Sequence, residues 1–188
     1  MKIGYLLDAS GSMGPVQEQV ISAFNEYVES LKKDSKGKKI RFTCHAFGGN
    51  NPAFRIHDNV KVKNIKVLTN DVYIPDGMTP LYDAIYVMVK TLRGKNNLVI
   101  IHTDGYENNS QHYNQREIFD IIRDKEDNKG WTFMYIGSDA DTWEQAASIG
   151  VQRGNTVMYH QYDQHEATRN ATLGTQAYIS KTNNLTED

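Results

Sequence analysis

Apolar residues along this chain fall into runs of two kinds. Residues 2–7 (KIGYLL) and 98–101 (LVII) are almost continuously apolar, the pattern of strands covered on both faces. Residues 131–136 (WTFMYI) read the same way, and Ile40, Phe42, Cys44 and Ala46 alternate with Arg41, Thr43 and His45 at a strand period of two. Between these runs the spacing changes to three or four. Val16, Val20, Phe24, Tyr27 and Leu31 share one helix face, as do Leu81, Ile85, Met88 and Leu92, and then Ile118, Ile121 and Ile122. Pro15 suits a first helical turn, the polar residues 35–38 end that helix, and Gly130 precedes a strand. A short helix carrying Trp143, Ala146, Ala147 and Ile149 leads to a last strand at 156–158. Residues 163–180 have weaker helical spacing, and the final residues are expected to fray.

Strands alternating with helices predict an α/β, doubly wound, mainly parallel central sheet with helices on both faces. One strand departs from this. The turn at 48–52 (GGNNP) is too short for a crossover, so the extended segment from Phe54 should run antiparallel at an edge. The 188 residues suit one domain over 1–188, with its core over about 1–159 and residues 160–188 as a C-terminal helix and tail.

Charge alters this picture little. With 21 basic and 23 acidic residues, the net charge is −2, which offers no general attraction for nucleic acid. Lys32, Lys33 and the basic stretch 36–39 flank a helix end, where cations complement the helix dipole, and read as its solvated terminus. A lone cysteine, Cys44, excludes an internal disulfide and reads as a buried strand thiol. The first apolar run ends at Asp8, too short for a signal peptide, and no apolar stretch reaches the ~20 residues of a membrane span. The expectation is a complete cytoplasmic protein with no nucleic-acid or membrane partner.

The candidate chemistry lies in three strand-to-helix loops. Residues 8–14 (DASGSMG) place the oxygens of Asp8, Ser10 and Ser12 two residues apart; Thr79 and Asp104 sit in two later loops. In a parallel sheet such loops share one edge, and Asp8 faces Asp104 if strand order reverses between their strands. Two carboxylates that close repel unless a cation separates them. Hard oxygen donors suit Mg²⁺, with Mn²⁺ or Ca²⁺ as alternatives, and waters can complete the shell. Ser10 and Ser12 could also serve as helix caps, and Asp8 as a loop acceptor. Asp76 and Asp83 read as a turn residue and a first-turn charge. His102 reads as a hydrogen-bonded structural histidine, and His112, His160 and His165 lack zinc-site spacing.

The DxSxS pattern at 8–12, with Thr79 and Asp104 in order, resembles the von Willebrand factor type A domain and its metal-ion-dependent adhesion site, MIDAS. Residues 73–85 (YIPDGMTPLYDAI), 101–108 (IHTDGYEN) and 130–139 (GWTFMYIGSD) are similar to the corresponding loops of small stand-alone bacterial and phage members. The resemblance implies metal contacts through the hydroxyls of Ser10, Ser12 and Thr79, with Asp8 and Asp104 often acting through water. It implies a protein-binding module, not an enzyme, in which the cation captures a Glu or Asp carboxylate of a partner. Met13, Gly77, Met78, Tyr106, Asn108 and Asp139 are the expected rim. Stand-alone members often work beside ATPases or stress-response systems.

The rival reading is a Mg-dependent phosphoester hydrolase using the same crevice. Haloacid-dehalogenase-like phosphatases place a second acid two positions after the first Asp, where this chain has Ser10. No tuned acid or activated nucleophile accompanies Asp8 in the sequence.

Overall fold

The continuous apolar runs become neighbouring strands at the centre of one sheet. The computed structural model describes residues 1–138 and 140–184. Among them six strands form the sheet: β1 (Lys2–Asp8), β2 (Arg41–Gly48), β3 (Asn51–Lys61), β4 (Asn97–Thr103), β5 (Thr132–Gly137) and β6 (Thr156–Met158). Their spatial order is β3-β2-β1-β4-β5-β6, parallel except for β3, which pairs antiparallel with β2 at the edge. The hairpin inference from the short 48–52 turn therefore holds. Strand order reverses between β1 and β4, which lie side by side.

Helices cover both faces. Ile3, Tyr5 and Leu7 pack in one apolar cluster with α1 (Gln17–Asp34) and α5 (Gln164–Asn184). Leu6, Val99 and Ile101 join the opposite cluster with α2 (Leu81–Leu92), α3 (Gln115–Lys129) and α4 (Thr142–Ser148). Alternate residues thus serve opposite layers, which is why the central strands are apolar throughout. Asn114 and Glu117 form a capping box at the start of α3, and Gly130 ends it in the left-handed conformation at φ +64°.

Two expectations change. The first helix does not begin at Pro15; a 3-10 turn over Gly11–Val16 comes first and α1 follows. The core also extends past residue 159, because Ala167, Ala171, Tyr178 and Ile179 of α5 are buried in the α1 layer. The expected C-terminal helix is present, but its weak spacing did not show that it is buried, since Ala167 and Ala171 cover a face without large apolar groups. Cys44 is buried in the same layer, where desolvation pushes its thiol up. Among the described residues no helix is long and apolar enough to cross a membrane.

α2 rests directly on the β1 backbone. A β-carbon at Gly4 would fall 2.7 Å from Met88 Sδ and 2.9 Å from Leu92 Cδ1. Gly4→Val is therefore expected to cost about 2 kcal/mol through overpacking. Urea denaturation measures it, and a wild-type midpoint would show that α2 shifts freely.

Candidate metal centre

The β1–β4 pairing brings the first carboxylate to the edge where the second loop leaves the sheet. Leu7 pairs with His102, so Asp8 ends beside Thr103 and one residue short of Asp104. Asp8 is fully buried, and both its oxygens are engaged. Ser10 N–H donates to Oδ1 at 2.7 Å and Thr103 Oγ1 donates to Oδ2 at 2.5 Å. Desolvation pushes its carboxyl up to about 6, opposed by the Thr103 and Ser10 bonds and reinforced by the charge of Asp104.

The hydroxyls form a chain from Asp8 toward Asp104. Ser10 occupies the cap position of the 3-10 turn, yet its side chain makes no cap hydrogen bond. Its Oγ lies 3.1 Å from Ser12 Oγ, and Ser12 Oγ donates to Asp104 Oδ1 at 2.8 Å. Thr79 comes in from the loop before α2. A β-carbon at Gly105 would lie 3.6 Å from Thr79 Oγ1 and 4.0 Å from Ser12 Oγ, so both hydroxyls converge on the Asp104-Gly105 turn. Asp8, Ser10, Thr79 and Asp104 are buried while Ser12 is exposed, which leaves a floor of oxygens open on one side.

Backbone bonds between loops hold this arrangement. Ala9 N–H donates to Phe47 O at 2.8 Å, Asp76 N–H to Ala9 O at 2.8 Å, Gly11 N–H to Gly77 O at 2.8 Å and Gly49 N–H to Met78 O at 2.8 Å. Loops this close need glycine. A β-carbon at Gly77 would stand 2.6 Å from Gly49 Cα, and its φ of +67° is left-handed. Asn108 Oδ1 accepts from Thr79 N–H at 2.7 Å, pinning the Thr79 loop to the one after β4. Asp83, buried, accepts from the backbone N–H groups of Gln111, His112 and Tyr113 at 2.8–3.2 Å. Burial raises its pKa, but these bonds outweigh it and hold the carboxyl below its ordinary value. Asp83 thus clamps the loop that carries Asp104's successors and does not reach the metal candidates.

Three contributors carried no sequence signal. Thr103 bonds Asp8, Tyr73 OH donates to Asp8 O at 2.5 Å, and Gln161 Nε2 donates to Asp104 Oδ2 at 2.9 Å. Gln161 belongs to the segment expected to be a C-terminal helix and tail outside the core. Behind it, His102 is structural as read: Nδ1 lies 3.1 Å from Tyr5 OH and Nε2 3.2 Å from Tyr159 OH. Desolvation lowers its pKa to about 4, so the ring is neutral and gives one donor and one acceptor to the two phenols. Among the described residues no three His, Cys, Asp or Glu side chains form a metal-holding group.

Solved structures share this architecture. Proximal thread matrix protein 1 from the mussel byssus superposes with a TM-score of 0.63 at 15% identity, over 91% of this chain and 44% of that one. A von Willebrand factor type A protein from Catenulispora acidiphila gives 0.61 at 13% identity, over 91% of this chain and 41% of its own. Manganese-loaded TRAP from Plasmodium vivax gives 0.58 at 17%, over 89% and 71%. This is the von Willebrand factor type A fold. The chain spans less than half the length of the mussel and Catenulispora proteins. No protein-family model and no curated protein matches the sequence. One mussel structure is described with a zinc-occupied MIDAS motif.

On this type A fold the expected rim separates. Gly77, Met78, Tyr106 and Asn108 are exposed on the two loops that flank Thr79 and Asp104. Met13 is not at the rim: it is fully buried in the α1 layer, because the 3-10 turn rotates it under the loop. Tyr106 OH donates to Asp141 Oδ2 at 2.6 Å, tying the rim to the start of α4. Asp139 lies outside the described residues.

The donors fit a divalent cation. Ligands at about 2.1 Å in an octahedron stand about 3 Å from their neighbours. Ser10 Oγ, Ser12 Oγ and Asp104 Oδ1 are spaced 3.1 and 2.8 Å apart, as adjacent corners would be.

Proposed function

We propose that this chain is a metal-dependent protein-binding module. The observation that carries the reading is the Ser10–Ser12–Asp104 oxygen chain, beside Thr79 and over buried Asp8. Ser10, Ser12 and Thr79 would hold Mg²⁺, or Mn²⁺ in its place, through neutral hydroxyls, and Asp8 and Asp104 would offset only part of its charge. When bound, the cation supplies an electrophilic centre for an anionic oxygen. Neutral ligands leave that centre under-compensated, which favours a Glu or Asp carboxylate of a partner at the open side. Gly77, Met78 and Tyr106 then select among carboxylates by shape. Support also comes from shared fold with proteins described as manganese-loaded and as zinc-occupied at MIDAS.

The hydrolase alternative is disfavoured by Asp8 itself. Both its oxygens are bonded and it is fully buried, so it is not placed to attack a phosphoryl group. A phosphatase screen with Mg²⁺ or Mn²⁺ is expected to show no Asp104-dependent turnover.

Pull-down of partners with Mg²⁺ or with EDTA, using Asp8→Ala as control, tests the main reading. Partners should be retained only with metal and wild-type chain; retention of every partner in EDTA would sink it. Thr79→Ala is expected to weaken Mg²⁺ or Mn²⁺ binding at least about tenfold in calorimetric titration. Its melting curve should stay near wild type, because a loop hydroxyl adds little to the core. Unchanged affinity would remove Thr79 from the ligand set.

A further inference from the structure

The lysines that read as a solvated helix end do not stand alone in the folded chain. Around the C-terminus of α1, Lys32 of its last turn and Lys36, Lys38 and Lys39 beyond it line an open-sided cavity of about 570 Å³. Arg41, the first residue of β2, forms part of its wall, and Lys61 and Lys63 close it from the end of β3 and the turn that follows. Seven of the chain's 21 Lys and Arg residues therefore surround one concavity in a protein whose net charge is −2. Among the described residues, none of the other lining side chains is acidic. Among the described residues, Lys32 is the one member with an ion-pair partner, Glu29 at 2.9 Å, and Arg41 donates to Asn59 O at 3.1 Å.

The helix dipole does not account for this. It favours cations in the last turn of α1, but Arg41 already belongs to β2, and Lys61 and Lys63 come from the far end of β3 and the turn after it. Like charges gathered with Glu29 as their one paired carboxylate among the described residues repel, and walls of one sign around a concavity focus the field on an incoming anion. The volume is that of a small-molecule site. Lysine predominates, a compact point charge suited to phosphoryl oxygens. Among the described residues no aromatic side chain lines the cavity, so these offer no stacking platform of the kind used by single-stranded nucleic acid.

We propose that this cavity binds a compact anion carrying two or more phosphoryl groups. It is separate from the metal centre. Lys2 pairs with Arg41 at one edge of the sheet and Asp8 with Phe47 at the other, about 20 Å of strand away.

Isothermal titration of the full chain with tripolyphosphate, in EDTA and low salt, tests the proposal. The expected result is saturable binding near one per chain, at least tenfold weaker in 0.5 M salt. Lys38→Gln combined with Lys61→Gln should weaken it at least tenfold while leaving Mg²⁺ titration at wild type, since both side chains are exposed and distant from the metal centre. Lys63→Glu provides a second variant with the same expected direction. Parallel titrations with a nucleoside triphosphate and with vesicles bearing a multiply phosphorylated inositol lipid distinguish a free anion from a headgroup, and binding of either supports the site. Three outcomes would overturn it: no tripolyphosphate binding at millimolar concentration, affinity indifferent to the lysine variants, or preference for a single-stranded RNA oligonucleotide.

Discussion

Gly48→Ala is expected to lower stability by about 3 kcal/mol and to abolish measurable metal binding. Gly48 ends β2 where the β1 loop crosses it. A β-carbon there would stand 2.2 Å from Ala9 O, 2.6 Å from Ala9 C and 3.0 Å from Asp76 O. All three atoms are backbone, so no rotamer change relieves the clash. Ala9 sits between Asp8 and Ser10 and is bonded on both sides, through its N–H to Phe47 O and through its carbonyl to Asp76 N–H. Displacing it moves two ligand candidates and the loop that leads to Thr79. Gly14→Ala is the control: a β-carbon there meets nothing within 4 Å, and the midpoint should stay near wild type. Urea denaturation and calorimetric metal titration of the two variants check this. Wild-type behaviour of Gly48→Ala would mean that the three loops are not rigidly coupled.

His45→Leu is expected to stabilise the chain increasingly as pH falls, by about 2 kcal/mol more at pH 5 than at pH 7. His45 is fully buried, and among the described residues neither ring nitrogen has a hydrogen-bond partner. Desolvation lowers its pKa from 6.5 to about 4; the nearby charge of Arg55 lowers it further, and Asp58 opposes this. The unfolded chain therefore binds a proton at pH values where the folded chain does not. That favours unfolding as pH drops below about 6.5, and the loss levels off below about 4, where the folded ring protonates too. Leucine removes this proton linkage and two unsatisfied nitrogens. Asp8, pushed up to about 6, acts with the opposite sign, and His102 with the same sign as His45. Both titrate in each variant, so the difference between the two stability curves isolates His45. Parallel curves from pH 7 to 5 would show that His45 titrates normally.

Much of the candidate site was legible because its signals are local. Asp8, Ser10 and Ser12 lie within one short loop, and Thr79 and Asp104 each sit in a loop bounded by recognisable strands or helices. The supporting residues are different. Thr103, Tyr73 and Gln161 are common residue types whose roles depend on which loops meet. Residues 48–49 read only as turn residues and Gly77 as a rim residue, although their missing side chains let the loops dock. Met13 fell on the wrong side because the 3-10 turn replaced the expected loop.

By itself the sequence determined the layered α/β class, the antiparallel third strand and the oxygen-rich loop after β1. These follow from side-chain period, from connection length and from turn chemistry, all of which act over a few residues. Only the tertiary structure decided that α5 belongs to the core, that Gln161 reaches Asp104, and that Lys61 and Lys63 meet the lysines beyond α1. Those contacts join segments far apart along the chain. Strand order and register create them, and no local pattern records strand order.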